Sequence, residues 1–165
     1  MIENIGENVT ITDRAQLQAI TPEQAKKIKS LRIENQVIDH DFDDFFASLN
    51  IPDSLCFFRC DIRSSFCNVD IGCYMLKLTE CGLTSENASF ILSPIRRWPY
   101  LRILDLSGNN IGVDPERFFE WIRTRFLGIS SVDQLILSDN GFEASYINKI
   151  KADFKKWEQY LQITF

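Results

Sequence analysis

Two stretches of this chain repeat one pattern, and that repetition constrains the fold more than any other feature. Leu101, Leu104, Leu106, Asn109 and Ile111 fit the spacing LxxLxLxxNxL, and so do Val132, Leu135, Leu137, Asn140 and Phe142. With that register fixed, three weaker copies emerge. Cys73, Leu76, Leu78, Cys81 and Leu83 form one, with Cys in the Asn place. Ile28, Leu31, Ile33, Gln36 and Ile38 form another, with Gln there. Leu55, Phe57, Cys60 and Ile62 form the poorest, because Pro52 occupies its first apolar position.

The spacing has a direct physical meaning. Apolar residues two apart, such as Leu104 and Leu106, point to the same side of a short strand. The Asn side chain then satisfies backbone groups where the chain turns away. A thiol fills the same slot as a weaker hydrogen-bonding group. One such unit cannot bury its own apolar edge, so neighbours must stack. The fold class expected is α/β, built from short stacked strands.

The returning segments carry helix signals. Asp114 and Pro115 read as an N-cap followed by proline at the first helical position, with Phe118, Phe119, Trp121, Ile122 and Phe126 behind them and Gly128 as a stop. Thr84 or Ser85 opens a second helix through Phe90, Ile91 and Leu92, which Pro94 distorts or ends. Asp41 to Leu49 reads as a third, and residues 60–70 as irregular. The repeats start at residues 28, 52, 73, 101 and 132, so only the later returns have room for a full helix. The ends read as caps. Thr21, Pro22, Glu23 and Gln24 open a short helix ahead of the first repeat. Ile147, Ile150, Phe154, Trp157 and Leu161 fall at helical spacing. The organisation expected is one domain over residues 1–165. It comprises an N-terminal cap over 1–27, about five repeats over 28–142 and a C-terminal capping helix over 143–165.

These residues resemble the leucine-rich-repeat family, nearer its ribonuclease-inhibitor type. The resemblance is carried by Leu76, Leu78, Cys81, Leu83 and Thr84, by Leu104, Leu106, Asn109 and Ile111, and by Leu135, Leu137 and Asn140. It implies a short solenoid, or horseshoe, with concave strands and convex helices, whose work is protein binding, including enzyme inhibition. The small size and divergent early repeats also resemble short repeat effectors of intracellular bacteria such as Legionella. That resemblance implies residence in a host cytosol.

Strand geometry assigns the outward residues. One ladder runs Ser30, Ser54, Met75, Ile103, Gln134. The next runs Arg32, Cys56, Lys77, Asp105, Ile136, and the third Glu34, Phe58, Thr79, Ser107, Ser138. Phe58, Met75, Ile103 and Ile136 are thereby expected to face solvent beside Arg32, Lys77 and Asp105. An apolar centre with a charged surround is the composition of a protein interface. The expected partner-binding residues are Arg32, Glu34, Phe58, Met75, Lys77, Ile103, Asp105, Gln134 and Ile136. The partner expected is a protein, with enzymes among the candidates, captured by a chain that is monomeric beforehand. Arg96, Arg97, Trp98 and Tyr100 form a rival cation–aromatic cluster, although Trp98, like Trp121 and Trp157, reads better as packing.

Other function classes fit less well. The chain has 165 residues, 45% hydrophobic and 25% charged, with a net charge of −5. An acidic balance argues against a nucleic-acid backbone binder. No apolar run spans a bilayer, and the first residues, with Glu3 and Glu7, do not read as a secretory signal. Five cysteines, at 56, 60, 67, 73 and 81, suggest free thiols in a reducing, cytoplasmic compartment. Their spacing lacks the CxxC pairs of a zinc site, and there is no phosphate-binding glycine loop. No cofactor or metal is expected, and no catalysis. The alternatives are an adaptor that recruits a client and a cysteine-dependent enzyme using Cys56 or His40. The acidic run around His40 (Asp39, Asp41, Asp43, Asp44) reads as a solvated helix start.

Overall fold

Period-two alternation of apolar residues builds a seven-stranded sheet in the computed structural model. The model describes residues 7–49, 53–63, 72–126 and 131–165, apart from the side chains of Asp41, Arg96, Arg97, Arg125, Phe126 and Trp157. Pro52, Cys67, Gly128 and those side chains, on which expectations were placed above, lie outside the described residues. The strands are β1 (Asn8–Ile11), β2 (Ser30–Glu34), β4 (Ser54–Phe58), β6 (Met75–Thr79), β7 (Ile103–Asp105), β8 (Gln134–Ile136) and β9 (Gln162–Thr164). Each pairs parallel with the next in that order. A two-stranded parallel sheet, β3 (Val37–Ile38) with β5 (Asp61–Ile62), runs beside it.

The register is the one the repeat spacing predicts. Leu31, Leu55, Leu76, Leu104 and Leu135 pair in one inward row. They are fully buried, with Ile33, Phe57, Leu78, Leu106 and Leu137 beside them. The helices that return the chain bury their apolar residues in the same core. They are α1 (Arg14–Gln18), α2 (Pro22–Ala25), α3 (Asp43–Ser48), α4 (Ser85–Ile91), α5 (Pro115–Trp121) and α6 (Ala144–Phe154). Phe46, Ile91, Phe118, Phe119, Ile150 and Phe154 come from these helices. Trp98 packs into the core too, and Trp121 packs partly buried against it.

One side chain per turn holds the ladder together. Asn109 Nδ2 donates to the carbonyls of Leu78 and Leu106 at 2.7 Å each, and its Oδ1 accepts from the Cys81 and Leu83 N–H groups at 2.9 and 3.0 Å. Asn140 repeats this one strand later, donating to Leu106 and Leu137. The thiols keep the same addresses at longer range. Cys81 donates to Phe57 and Thr79, and Cys60 to Ile33 and Phe58, at 3.4–3.5 Å. Gln36 Nε2 donates to Thr12 and Glu34 at 2.8 and 3.1 Å. In every case the partners are a carbonyl of the preceding strand unit and one of its own.

The residue before each of these side chains is left-handed. Asn35, Arg59, Glu80, Gly108 and Asp139 have φ of 55°, 54°, 54°, 71° and 58°. Such a conformation costs a non-glycine residue about 1–2 kcal/mol, so the bonds made next door must offset it. Glycine at 108 also relieves crowding, since a Cβ there would lie 2.8 Å from Glu80 Cγ.

Several expected elements differ. Asp114 makes no side-chain cap bond, although Pro115 does open α5. The third helix is shorter than Asp41 to Leu49, with a 3-10 turn over His40–Phe42 before α3. The N-terminal segment is more than a short helix, since it holds strand β1 and the helix α1, capped by Asp13. The capping helix expected over 143–165 stops at Phe154, and after a 3-10 turn the chain adds β9. The helical spacing that ran to Leu161 concealed a period of two, Leu161, Ile163, Phe165, in which Ile163 pairs with Leu135.

The slot bonds rank the turns. Asn109→Ala leaves the Cys81 and Leu83 N–H groups and the Leu78 carbonyl without this partner and is expected to cost roughly 3 kcal/mol. Cys81→Ala removes only weak thiol bonds and is expected to cost roughly 1 kcal/mol. Urea unfolding of both variants checks the order, and equal losses would contradict it.

Candidate functional site

The face of the main sheet opposite the core carries the three predicted outward ladders in register. Ser30, Ser54, Met75, Ile103 and Gln134 align across successive strands, as do Arg32, Cys56, Lys77, Asp105 and Ile136. Glu34, Phe58 and Thr79 start the third. Ser107 and Ser138 follow in sequence beyond the ends of β7 and β8. β1 and β9 extend these rows, placing Asn8 and Gln162 at either end of the first and Thr10 and Thr164 at either end of the second.

The expectation that these side chains stand free in water needs correction. Phe58, Met75, Ile103 and Ile136 are half-buried, and Asp105 and Cys56 are buried at 8% exposure each. The cause is mutual cover within and between rows. Arg32 lies over Cys56, its Nη1 3.4 Å from the thiol. It also hydrogen bonds Glu34 and stacks over Phe58 with its guanidinium carbon 4.6 Å from the ring centroid. Arg59 stacks on the same ring at 4.7 Å and pairs with Glu80 at 2.7 Å. Phe58 is therefore flanked by two guanidiniums, each tied to a carboxylate. Asp105 accepts from the Ser107 N–H and hydroxyl at 3.0 and 2.5 Å, with the Lys77 ammonium 3.8 Å away. Ser30 and Ser54 hydrogen bond to each other at 2.5 Å.

The face thus divides by chemistry. Its β1–β4 side is polar in the first row, at Asn8, Ser30 and Ser54. Met75 and Ile103 put two adjacent apolar side chains at the centre of that row. Around them are charges that largely neutralise one another.

The described thiols are not activated as nucleophiles. Burial pushes the Cys56 thiol up from its ordinary value, and the nearby Arg32 and Lys77 charges offset only part of that. Burial also pushes Cys73 and Cys81 up to about 12. At neutral pH these groups are protonated, the unreactive form. His40 belongs to the 3-10 turn after β3 rather than to the ladder that holds Cys56. Among the described residues, no three of His, Cys, Asp and Glu converge as a metal-ligand group.

Residues beside the predicted ladders were missed by sequence reasoning. Tyr74, Arg102 and Asp133 occupy the place just before the first outward row in successive units, and Tyr160 stands in the turn before β9. The signal was available, since each falls next to an inward residue at the start of a unit. Without β9, however, nothing marked Tyr160 as their neighbour.

Comparison with known proteins adds one positive finding. The Leucine Rich Repeat family model matches residues 100–121, from the lead-in to β7 to the end of α5. The match supports a leucine-rich-repeat family. No curated protein matches the chain. The repeat motif suggests a protein-interaction module, and the mixed α/β fold with its parallel sheet is compatible with that family. Among the described residues, no helix is long and apolar enough to cross a membrane.

The cover over Cys56 makes a checkable prediction. In a Cys67→Ser background at pH 7, the remaining thiols should react with a disulfide reagent at least tenfold more slowly than in urea. Arg32→Ala should speed the Cys56 reaction selectively, as mass mapping of the labelled peptide would reveal. Equal rates in folded and unfolded protein would refute the assignment of protonated, covered thiols.

Proposed function

We propose that this chain is a protein-binding module that captures a partner on the outward face of its sheet, the concave face of a short curved repeat solenoid. Binding there blocks or masks the partner, which on this reading is an enzyme or another folded protein. The observation that carries the reading is the alignment of Met75 and Ile103 on adjacent strands, with Lys77, Asp105 and Ile136 in the next row and Phe58 in the row beyond, opposite Thr79. Half-buried apolar side chains ringed by charge give an interface both area and register. Arg32, Glu34 and Gln134 complete the contact set proposed from the ladders.

On this reading the module is non-catalytic and needs no cofactor; burial raises the Cys56, Cys73 and Cys81 thiols above their ordinary value, which disfavours the thiolate at those three positions. The described cysteines carry free thiols, which suits a reducing compartment. A cytosolic site of action, including a host cytosol for a bacterial effector, is consistent with that chemistry. On this reading the chain is monomeric before it meets its partner.

The test is a titration of the captured and purified partner against wild type, Ile103→Arg and Lys77→Glu. Ile103→Arg puts a charge at the apolar centre, and Lys77→Glu sets a carboxylate against Asp105. Each is expected to weaken binding about tenfold or more, some 1.4 kcal/mol. Circular dichroism should show both folded as wild type. Val113→Arg, at an 82% exposed position following β7 in a 3-10 turn, is the control and should bind as wild type. Unchanged affinity in both face variants would reject the proposal.

A further inference from the structure

The outward face continues past its first row onto the rim where the strands begin. There the backbone stacks Tyr74, Arg102 and Asp133 in succession. The Arg102 N–H donates to the Tyr74 carbonyl at 2.8 Å, and the Asp133 N–H to the Arg102 carbonyl at 2.8 Å. The Gln162 N–H then donates to the Asp133 carbonyl at 2.8 Å, which brings the turn carrying Glu158 and Tyr160 alongside. A groove of about 300 Å³ lies among these residues and reaches Ile103 on the sheet face.

Two features of the groove select its occupant. The first is aromatic. Tyr74 and Tyr160 line it while exposing 54% and 64% of their surface. An exposed tyrosine offers a ring face on which a cation can lie. The second is charge. Asp133 and Glu158 supply two carboxylates, and Arg102 is the one cation among the residues lining the groove. The Arg102 guanidinium is anchored to the Ser131 carbonyl at 2.9 Å and stands 3.7 Å from Asp133. Two carboxylates against one guanidinium leave the described lining with a surplus of one negative charge, in a chain whose net charge is −5.

We infer that this groove receives a lysine or arginine side chain from the protein partner, so that the partner presents a basic segment at the rim. The inference rests on the protein-binding reading above and deepens it. An acidic segment would meet two carboxylates. A purely apolar one would remove those carboxylates from water without compensation. A cationic side chain satisfies both features at once. Its aliphatic stem can lie against Ile103 and its charge can face Asp133, Glu158 and the two rings.

The test uses the full chain and four short blocked peptides, identical except for paired Arg, Lys, Glu or Leu residues, titrated at low and moderate salt. The Arg and Lys peptides are expected to shift the backbone resonances of Gln134, Tyr160 and Gln162, and to bind more weakly as salt rises. The double variant Asp133→Asn with Glu158→Gln should weaken that binding at least fivefold. Tyr74→Ala with Tyr160→Ala should weaken it at least threefold, whereas the paired Phe replacements should retain it, because phenylalanine keeps the ring face. Equal binding of the Glu or Leu peptide, affinity unchanged in the amide variant, or shifts confined to the Asp39–Asp44 region would each overturn the inference. Lys77→Glu separates the two claims. If it abolishes partner capture while the basic peptides fail to bind wild type, the rim inference falls and the binding face stands. If partner capture is indifferent to both Lys77→Glu and Ile103→Arg, the face itself is rejected.

Discussion

The turns that leave the sheet after β2, β4, β6, β7 and β8 expose backbone groups that the neighbouring strand cannot take, and one side chain per turn takes them. Gln36, Cys60, Cys81, Asn109 and Asn140 do this from equivalent places, each bonding one strand behind and its own turn. The remainder of the architecture depends on that constraint. It holds the preceding residue left-handed, which turns the chain sharply off the sheet. It locks each strand to its predecessor in register. A one-residue slip would turn every inward leucine outward, so the slot also decides which side chains form the outward face.

The fold was legible where this constraint and the leucine pattern coincide. The spacing of Leu104, Leu106 and Asn109 predicted inward row, outward row and turn together, and the same register carried the loose copies at Leu31 and Leu55. It failed where the slot is missing. Strand β1 offers only Val9 and Ile11 in a polar setting, and β9 only Ile163. Neither stretch carries the full pattern, so neither rose above its surroundings. Both strands form because an existing edge offers unpaired backbone groups and an apolar row to extend, information that lies in the neighbour. Asp114 failed differently, since it has the right residue type for a cap but its side chain makes no such bond.

The candidate site was legible in position and less so in exposure. Alternation placed Met75, Ile103 and Asp105 on the correct face, but it counts direction and ignores reach. Long cationic side chains fold across a sheet, and Arg32 covers Cys56 in a way that no residue spacing announces. The rim went unread for a related reason. Tyr74, Arg102 and Tyr160 come together through the order of strands, and Tyr160 joins them only because β9 exists.

The grip on Phe58 has a thermodynamic consequence. Its ring lies between Arg32 and Arg59, and each guanidinium is held in turn by Glu34 or Glu80. Five side chains from three neighbouring repeat units thus share one arrangement before any contact is made. Ordering a long side chain at an interface ordinarily costs about 0.5–1.5 kcal/mol of lost rotamer freedom. Here part of that entropy is already lost in the folded chain. A ligand meeting this corner would find a shaped, rigid surface, with less disorder left to remove than the number of arginines and glutamates suggests.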